Sequence, residues 1–130
     1  MLHPIDFHYL DIMIKDVGEK CPIFMLNLLK FSPNQGRDRY FKEYIPPFRA
    51  VAAELAVDGI SPIWIGEVKG LLAGPEVEKW DAALLVSYPS IAAFRKIAES
   101  DLYLARAAPL REAALSEWRL IPQVKMSPFL

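Results

Sequence analysis

Residues 22–31 read PIFMLNLLKF, apolar at nearly every position and with no turn former after the first. Such a run predicts a strand buried on both faces, because a half-exposed strand alternates apolar with polar side chains. Pro22 stands at its first position, where the missing N–H removes no ladder bond. A strand of this kind belongs at the centre of a sheet, and something must cover each of its faces.

The rest of the chain supplies the cover for one face. Leu10, Met13, Ile14 and Val17 fall at i, i+3, i+4 and i+7, the stripe of a short helical lead-in that stops at Gly18 and packs against the main body. After the first strand, Ser32-Pro33-Asn34-Gln35-Gly36 makes a loop and Asp38 is placed to cap a helix. Phe41, Tyr44, Ile45, Phe48, Ala52 and Leu55 form its apolar stripe. Pro46 and Pro47 fall inside that stripe and should kink or split the helix, because each removes a backbone donor. Asp58-Gly59 turns the chain into a second strand over residues 61–72, and a loop with Gly74-Pro75 returns it as a third over 80–88. Ser90 is an N-cap for a helix over 91–99 with Phe94 and Ile97 inward. A further helical piece over 101–115 carries Tyr103, Ala107, Leu110 and Ala114 on one side, and residues 118–124 form the last strand.

Strand, helix, strand, strand, helix, strand is a split pair of βαβ units, the ferredoxin-like α+β plan βαββαβ with a four-stranded antiparallel sheet. Its usual strand order, 4-1-3-2, puts the first and third strands at the centre, with both helices on one face. Yet both central strands are apolar on both faces: Phe24, Leu26 and Leu28 oppose Ile23, Met25 and Leu29, while Leu84 and Val86 oppose Ala83 and Leu85. Left bare, the second face would exceed the few hundred Å2 of apolar patch that soluble monomers tolerate. The simplest cover is the same face of a second copy, so the chain is expected to pair with itself as a two-fold homodimer.

At 130 residues and 53% hydrophobic, the chain fits a single domain over residues 1–130, with an N-terminal extension over 1–20 and a core over 22–124. It needs no disulfide or structural metal to build that core. Net charge is -1 and the fifteen basic residues are scattered along the chain, so no nucleic-acid partner is expected. The single Cys21 excludes an intramolecular disulfide and suits a reducing compartment. Asp6, Asp11 and Asp16 occupy the stretch where a signal peptide would be basic and then apolar. No apolar run approaches a membrane span, and the expected location is cytoplasmic.

Met25-Leu26-Asn27-Leu28-Leu29-Lys30-Phe31, Trp80-Asp81, Tyr88-Pro89-Ser90 with Phe94 behind it, and Tyr103 followed by Arg111 resemble the family catalogued as domain of unknown function 1330. The resemblance covers roughly Pro22 to Leu120. It implies membership of the dimeric α+β barrel superfamily, in which two four-stranded sheets face each other. It implies no activity, because that family has none assigned. Relatives in the wider superfamily include cofactor-free monooxygenases, lactone isomerases and haem proteins, so fold alone does not choose among them.

Seven residues stand out as candidate ligand contacts: Asn27, Tyr44, Trp64, Asp81, Tyr88, Tyr103 and Arg111. Asn27 is an amide among apolar neighbours, which is costly unless its hydrogen bonds are met. It either holds a ligand or bonds a neighbouring strand or the dimer partner. Arg111 lies beside an apolar helix stripe; it either pairs internally with Asp81 or Glu67 or clamps a ligand carboxylate bidentately. Asp81 at a strand start is either such a partner or a solvated carboxylate. On the third strand, alternation groups Asp81 with Ser87 and Trp80 with Tyr88, unless a bulge intervenes. Tyr44, Tyr88 and Tyr103 are core aromatics that also offer hydroxyls, and Trp64 and Trp80 are suited to wall an apolar pocket.

His3, Asp6 and His8 are the one set to test as metal ligands, but a terminal segment cannot easily fix three of them. Neither histidine lies in the helix that holds haem in haem-binding relatives, so neither metal nor cofactor is expected. Gly66, Gly70 and Gly74 do not open a helix and make no phosphate loop. Two function classes follow. One is a binder of a small apolar or carboxylate-bearing metabolite, or a cofactor-independent isomerase- or monooxygenase-like enzyme, with its cleft between sheet and helices. The other is a non-catalytic dimeric module whose polar residues satisfy one another. A cavity of about 300 Å3 or more with convergent polar groups favours the first.

Overall fold

A computed structural model describes residues 2–126. Met1 and residues 127–130 of the expected single domain lie outside the described residues. The order of elements is α1 (Phe7–Val17), β1 (Ile23–Phe31), α2 (Gly36–Asp38), a π-helical turn (Arg39–Tyr44), α3 (Ile45–Glu54), β2 (Ser61–Glu67), β3 (Ala82–Tyr88), α4 (Ile91–Ala98), α5 (Asp101–Arg106), α6 (Ala108–Ala114) and β4 (Leu115–Gln123). The four strands form one antiparallel sheet in the order β2-β3-β1-β4, so the two doubly apolar strands are central, as the ferredoxin-like plan requires. The fold is α+β.

Register decides which side chains meet the helices. Asn27 stands between Leu84 on β3 and Leu120 on β4, and Met25 between Val86 and Pro122. These positions, with Ile23, Leu29, Tyr88 and Trp118, face the helical layer. Ile23 and Leu29 are wholly buried there, and burial of such a side chain stabilises by about 1.5–3 kcal/mol. Phe24, Leu26 and Leu28 point the other way, beside Ser87, Leu85 and Ala83. No described helix lies over that face, and its side chains are half-buried by one another alone.

The helical lead-in forms as its stripe predicts. The Asp6 carboxylate caps α1 by accepting the Tyr9 amide at 3.2 Å, and Leu10 packs with Ile23, Met25, Ile91 and Phe94. Arg95 on α4 fixes α1 from the other side, 2.6 Å from Asp11 and 2.5 Å from Glu99.

Several boundaries depart from expectation for identifiable reasons. Asp38 does not cap: the helix starts earlier, at Gly36, and Asp38 instead stands 3.8 Å from Lys42 one turn on. Only glycine fits at position 36, since a Cβ there would run into the Ala114 carbonyl and the Phe31 and Ser32 side chains. Pro46 and Pro47 stand where the helix divides, one of the two outcomes expected of them. They fall in the first turn of α3, after a π-helical turn closed by the Ile45 amide on the Tyr40 carbonyl. Pro109 likewise splits the expected 101–115 helix into α5 and α6. The second strand ends at Glu67, and Gly70, at φ +152°, carries the chain into a loop where Leu71 and Leu72 are exposed.

Candidate functional site

Between the helix-facing side of the sheet and the layer formed by the π turn, α3, α4, α5 and α6 lies a cavity of about 40 Å3. Its walls are apolar, from Met25, Phe48, Ile97, Trp118 and Leu120, and five polar side chains converge on it: Asn27, Tyr44, Tyr88, Tyr103 and Arg111. Five of the seven candidate residues therefore meet, from four different elements and the π turn.

Arg111 is the centre of the cluster. It is only 8% exposed, on α6, and its guanidinium stacks over the Trp118 ring with 4.1 Å to the centroid. One Nη donates to the Tyr103 hydroxyl, which lies 3.0 Å from that of Tyr44. Nε is buried with no hydrogen-bond partner among the described residues. Neither carboxylate expected as its ion-pair partner is there. Asp81 accepts the Phe31 amide at 2.8 Å, at the far end of β1, and Glu67 pairs with Lys69 at 3.2 Å. No described carboxylate pairs with Arg111. Desolvating a cation costs several kcal/mol, of which stacking on an aromatic face returns about 2.

Asn27 divides its groups. Its Nδ2 donates to the Met25 carbonyl at 3.1 Å and across the sheet to the Leu84 carbonyl at 3.4 Å. Both partners are acceptors, so nitrogen must face them, and Oδ1 has no described donor. The tyrosines stay protonated. Burial is the main cause of the upward shift at each: it drives Tyr44 well above the usual phenol range, aided by Tyr103 and Tyr40, and raises Tyr88 and Tyr103. Arg111 opposes the rise at Tyr103. The cavity thus offers a cation, neutral hydroxyl donors and one amide acceptor, with no carboxylate or histidine in its wall to take a proton.

Beside the cavity lies a larger groove of about 560 Å3 along the β4 edge, beneath the segment 3–6 and the first turns of α1. Ile5, Met25, Phe94, Trp118 and Leu120 line both. The Trp118 indole N–H donates to the His3 carbonyl at 2.8 Å and holds that segment over the groove.

The other two candidates are elsewhere. Trp64 is 64% exposed on edge strand β2, paired with Leu85 on the helix-free face. Asp81 precedes β3, caught between the Phe31 and Leu29 backbones. Nor does Trp80 share a face with Tyr88: it stands under the Arg119 guanidinium, 5.1 Å from its ring centre, because β3 begins only at Ala82. Of the residues that do line the site, Trp118 and Ile5 were not singled out from sequence. Trp118 was legible by alternation, sharing a face with Leu120, while nothing local marks Ile5. His3 lines the groove, His8 lies 3.9 Å from Asp11, and among the described residues no cluster suited to a metal forms. Nor is any described helix long and apolar enough to cross a membrane.

Fold and site together define a ferredoxin-like α+β protein with a cationic core cavity. Among solved structures the chain is similar to the RPA0582 protein of Rhodopseudomonas palustris, a protein of unknown function: identity is 27%, the TM-score 0.75, and 97% of each chain is covered. The methylated RPA0582 protein matches at 26% identity and a TM-score of 0.76, over 98% of this chain and 96% of that one. A dimeric protein of unknown function and ferredoxin-like fold from Bacteroides fragilis matches at 14% identity and a TM-score of 0.52, over 80% of this chain and 96% of that one, a likeness of fold alone. No family model and no curated protein matches the chain.

Proposed function

We propose that this chain is a homodimeric α+β barrel protein that binds a small carboxylate-bearing metabolite, its head group on Arg111 and its apolar body in the groove beneath residues 3–6. The observation that carries this reading is a guanidinium only 8% exposed, with Nε unpartnered and no described carboxylate beside it. A fork with one edge occupied by Tyr103 keeps the other for a bidentate acceptor. A cavity of about 40 Å3 has room for a head group, and the adjoining groove, about 560 Å3, has room for the rest of a metabolite.

The dimer follows from the helix-free face, where Phe24, Leu26, Leu28 and Leu85 form an apolar sheet surface flanked by exposed Trp64 and Ile121. This reading keeps the chain as one domain, keeps its resemblance to the family of domain of unknown function 1330, and keeps a reducing compartment, the cytoplasm, on the single Cys21. The cluster supports binding and stabilisation of negative charge more directly than proton abstraction, because no base lines it.

Two observations favour the non-catalytic module instead: the enclosed cavity falls far short of about 300 Å3, and Asn27 already spends both amide hydrogens on backbone. Calorimetric titration with 4-phenylbutanoate and octanoate, against 4-phenylbutanamide as the uncharged control, separates the two. Binding of either carboxylate but not the amide, lost in Arg111→Met, is expected. No binding of either acid would leave the module reading.

A further inference from the structure

Arg111 Nε is a buried donor with no described acceptor, and Asn27 Oδ1, on the same cavity wall, is an acceptor with no described donor. Both contacts of the Asn27 amide are made by Nδ2 on backbone carbonyls, so the planar group holds its oxygen away from them. Accessibility along β1 agrees. Met25 is 3% exposed and Leu29 0%, while Asn27, between them on the same face, stays partly exposed and lines the cavity. Register brings the two groups together. Asn27 pairs with Leu120 and Leu29 with Trp118, so Asn27 and Trp118 are diagonal neighbours on one face, about 7–8 Å apart. The Arg111 guanidinium lies over that same Trp118 ring, 4.1 Å from its centre, with Tyr103 on one Nη. The Tyr88 hydroxyl also has no described partner, but Tyr88 rises from the rung at Ile23, at the other end of β1 from Trp118.

We infer that Asn27 is a specificity-determining residue whose Oδ1 accepts a hydrogen bond from the ligand, and that the site takes 2-hydroxy acids in preference to simple or 2-oxo carboxylic acids. The inference rests on the carboxylate site proposed above and adds to it the position of a hydroxyl. A 2-hydroxy acid carries its anionic acceptors and one neutral donor on adjacent carbons, which matches a guanidinium edge beside an amide oxygen. A carbonyl oxygen on that carbon would set acceptor against acceptor. An ammonium there would supply the donor but add a second cation beside Arg111, in a wall that holds no carboxylate. The space is of the right size: about 40 Å3 holds about three water-sized atoms, here two carboxylate oxygens and one hydroxyl. Contacts then come from Arg111 on α6, Asn27 on β1 and the groove along β4, so one enantiomer meets all of them and its mirror image does not.

The test titrates probes of one skeleton calorimetrically into the full chain: 4-phenylbutanoate, each enantiomer of 2-hydroxy-4-phenylbutanoate, and 2-oxo-4-phenylbutanoate. One hydroxy enantiomer should bind about tenfold tighter than 4-phenylbutanoate, the size of one hydrogen bond that relieves an unmet acceptor. The oxo acid should bind no tighter than 4-phenylbutanoate. In Asn27→Leu the favoured hydroxy acid and 4-phenylbutanoate should come within about twofold of each other. That variant is read only after a thermal melt establishes that it folds, and the comparison in the unaltered protein stands without it. Hydroxy acids that bind no tighter than 4-phenylbutanoate would overturn the inference and leave the carboxylate site standing. An oxo acid that gains as much as the hydroxy acid would overturn it too, because a donor such as Tyr88, and not Asn27 Oδ1, would then make the second contact. So would a hydroxyl preference that survives in Asn27→Leu. Absence of binding by every acid would remove the carboxylate site and this inference with it.

Discussion

The Arg111 guanidinium lies over the Trp118 indole, 4.1 Å from the ring centre, and these two side chains join α6 to the edge strand β4 at the floor of the cavity. Stacking holds the flat of the cation, Tyr103 takes one Nη, and Nε is left without a described partner. A residue serving the fold alone would instead find its carboxylate, because removing one partner of a buried ion pair costs about 3–5 kcal/mol and such pairs are held accordingly. On the binder reading, the free protein carries a desolvated charge that a bound carboxylate would pair.

Arg111→Met separates these alternatives without any ligand. It keeps an apolar stem while removing the guanidinium, and with it both the stack on Trp118 and a desolvated charge that has no described counter-ion. The expected melting temperature is equal to the parent's or higher. A loss of about 3 kcal/mol or more in denaturant unfolding would instead mean that the guanidinium is satisfied within the fold.

Asn27→Leu should behave in the opposite way. Both amide hydrogens are used, on the Met25 and Leu84 carbonyls, so the leucine leaves part-buried acceptors short of a donor. A destabilisation of about 1–3 kcal/mol is expected in chemical unfolding. A leucine variant as stable as the parent would assign the amide to the cavity alone.

The homodimer is tested on the face that no helix covers. Leu26 is central there, opposite Leu85 on β3 and Ile121 on β4. The parent should sediment at twice its 14.7 kDa chain mass, and Leu26→Glu should sediment as a monomer or fail to fold. Leu29 is the wrong probe for this purpose. It is wholly buried beneath the helices, so a charge there would unfold the chain whatever its assembly. A parent that sediments as a stable monomer would remove the dimer.

The lead-in helix carries a pH signature. Hydrogen bonding to Arg95, and the charge of that residue, hold the Asp11 carboxylate below its ordinary value of 3.8. A carboxylate lowered in the folded state contributes stability that is fully present above the unfolded value and is lost as pH falls through the folded one. Docking of α1 should thus be insensitive to pH in the neutral range and loosen only below about pH 4. Carboxyl NMR titration checks this: Asp11 should titrate below 3.8, and Arg95→Gln should return it toward that value. An unshifted Asp11 in the parent would show that the pair does not hold in solution.

How far these features could be read in advance depended on the range of the interaction behind them. The strand order follows from the two doubly apolar strands, and Ser90 caps α4 because an N-cap is a local event, its hydroxyl accepting the Ala93 amide at 2.9 Å. The convergence of Asn27, Tyr88, Tyr103 and Arg111 on one side of the sheet was half-legible, since strand parity and helix stripes point each toward the interior. Trp64 and Asp81 misled because an aromatic in a strand and a carboxylate beside a tryptophan look alike in either role. Only the register assigns Trp64 to the open face and Asp81 to the Phe31 amide. The crossing of residues 3–6 over the groove was not legible, because the bond that holds it, Trp118 to the His3 carbonyl, joins residues 115 positions apart.

A crystal structure of the protein grown with 4-phenylbutanoate tests the carboxylate site most directly. The expected density places the carboxylate against the Nε edge of Arg111 and the phenyl group in the groove between Ile5 and Leu120. Ordered water alone beside Arg111, with the acid absent or bound on an outer surface, would contradict the assignment.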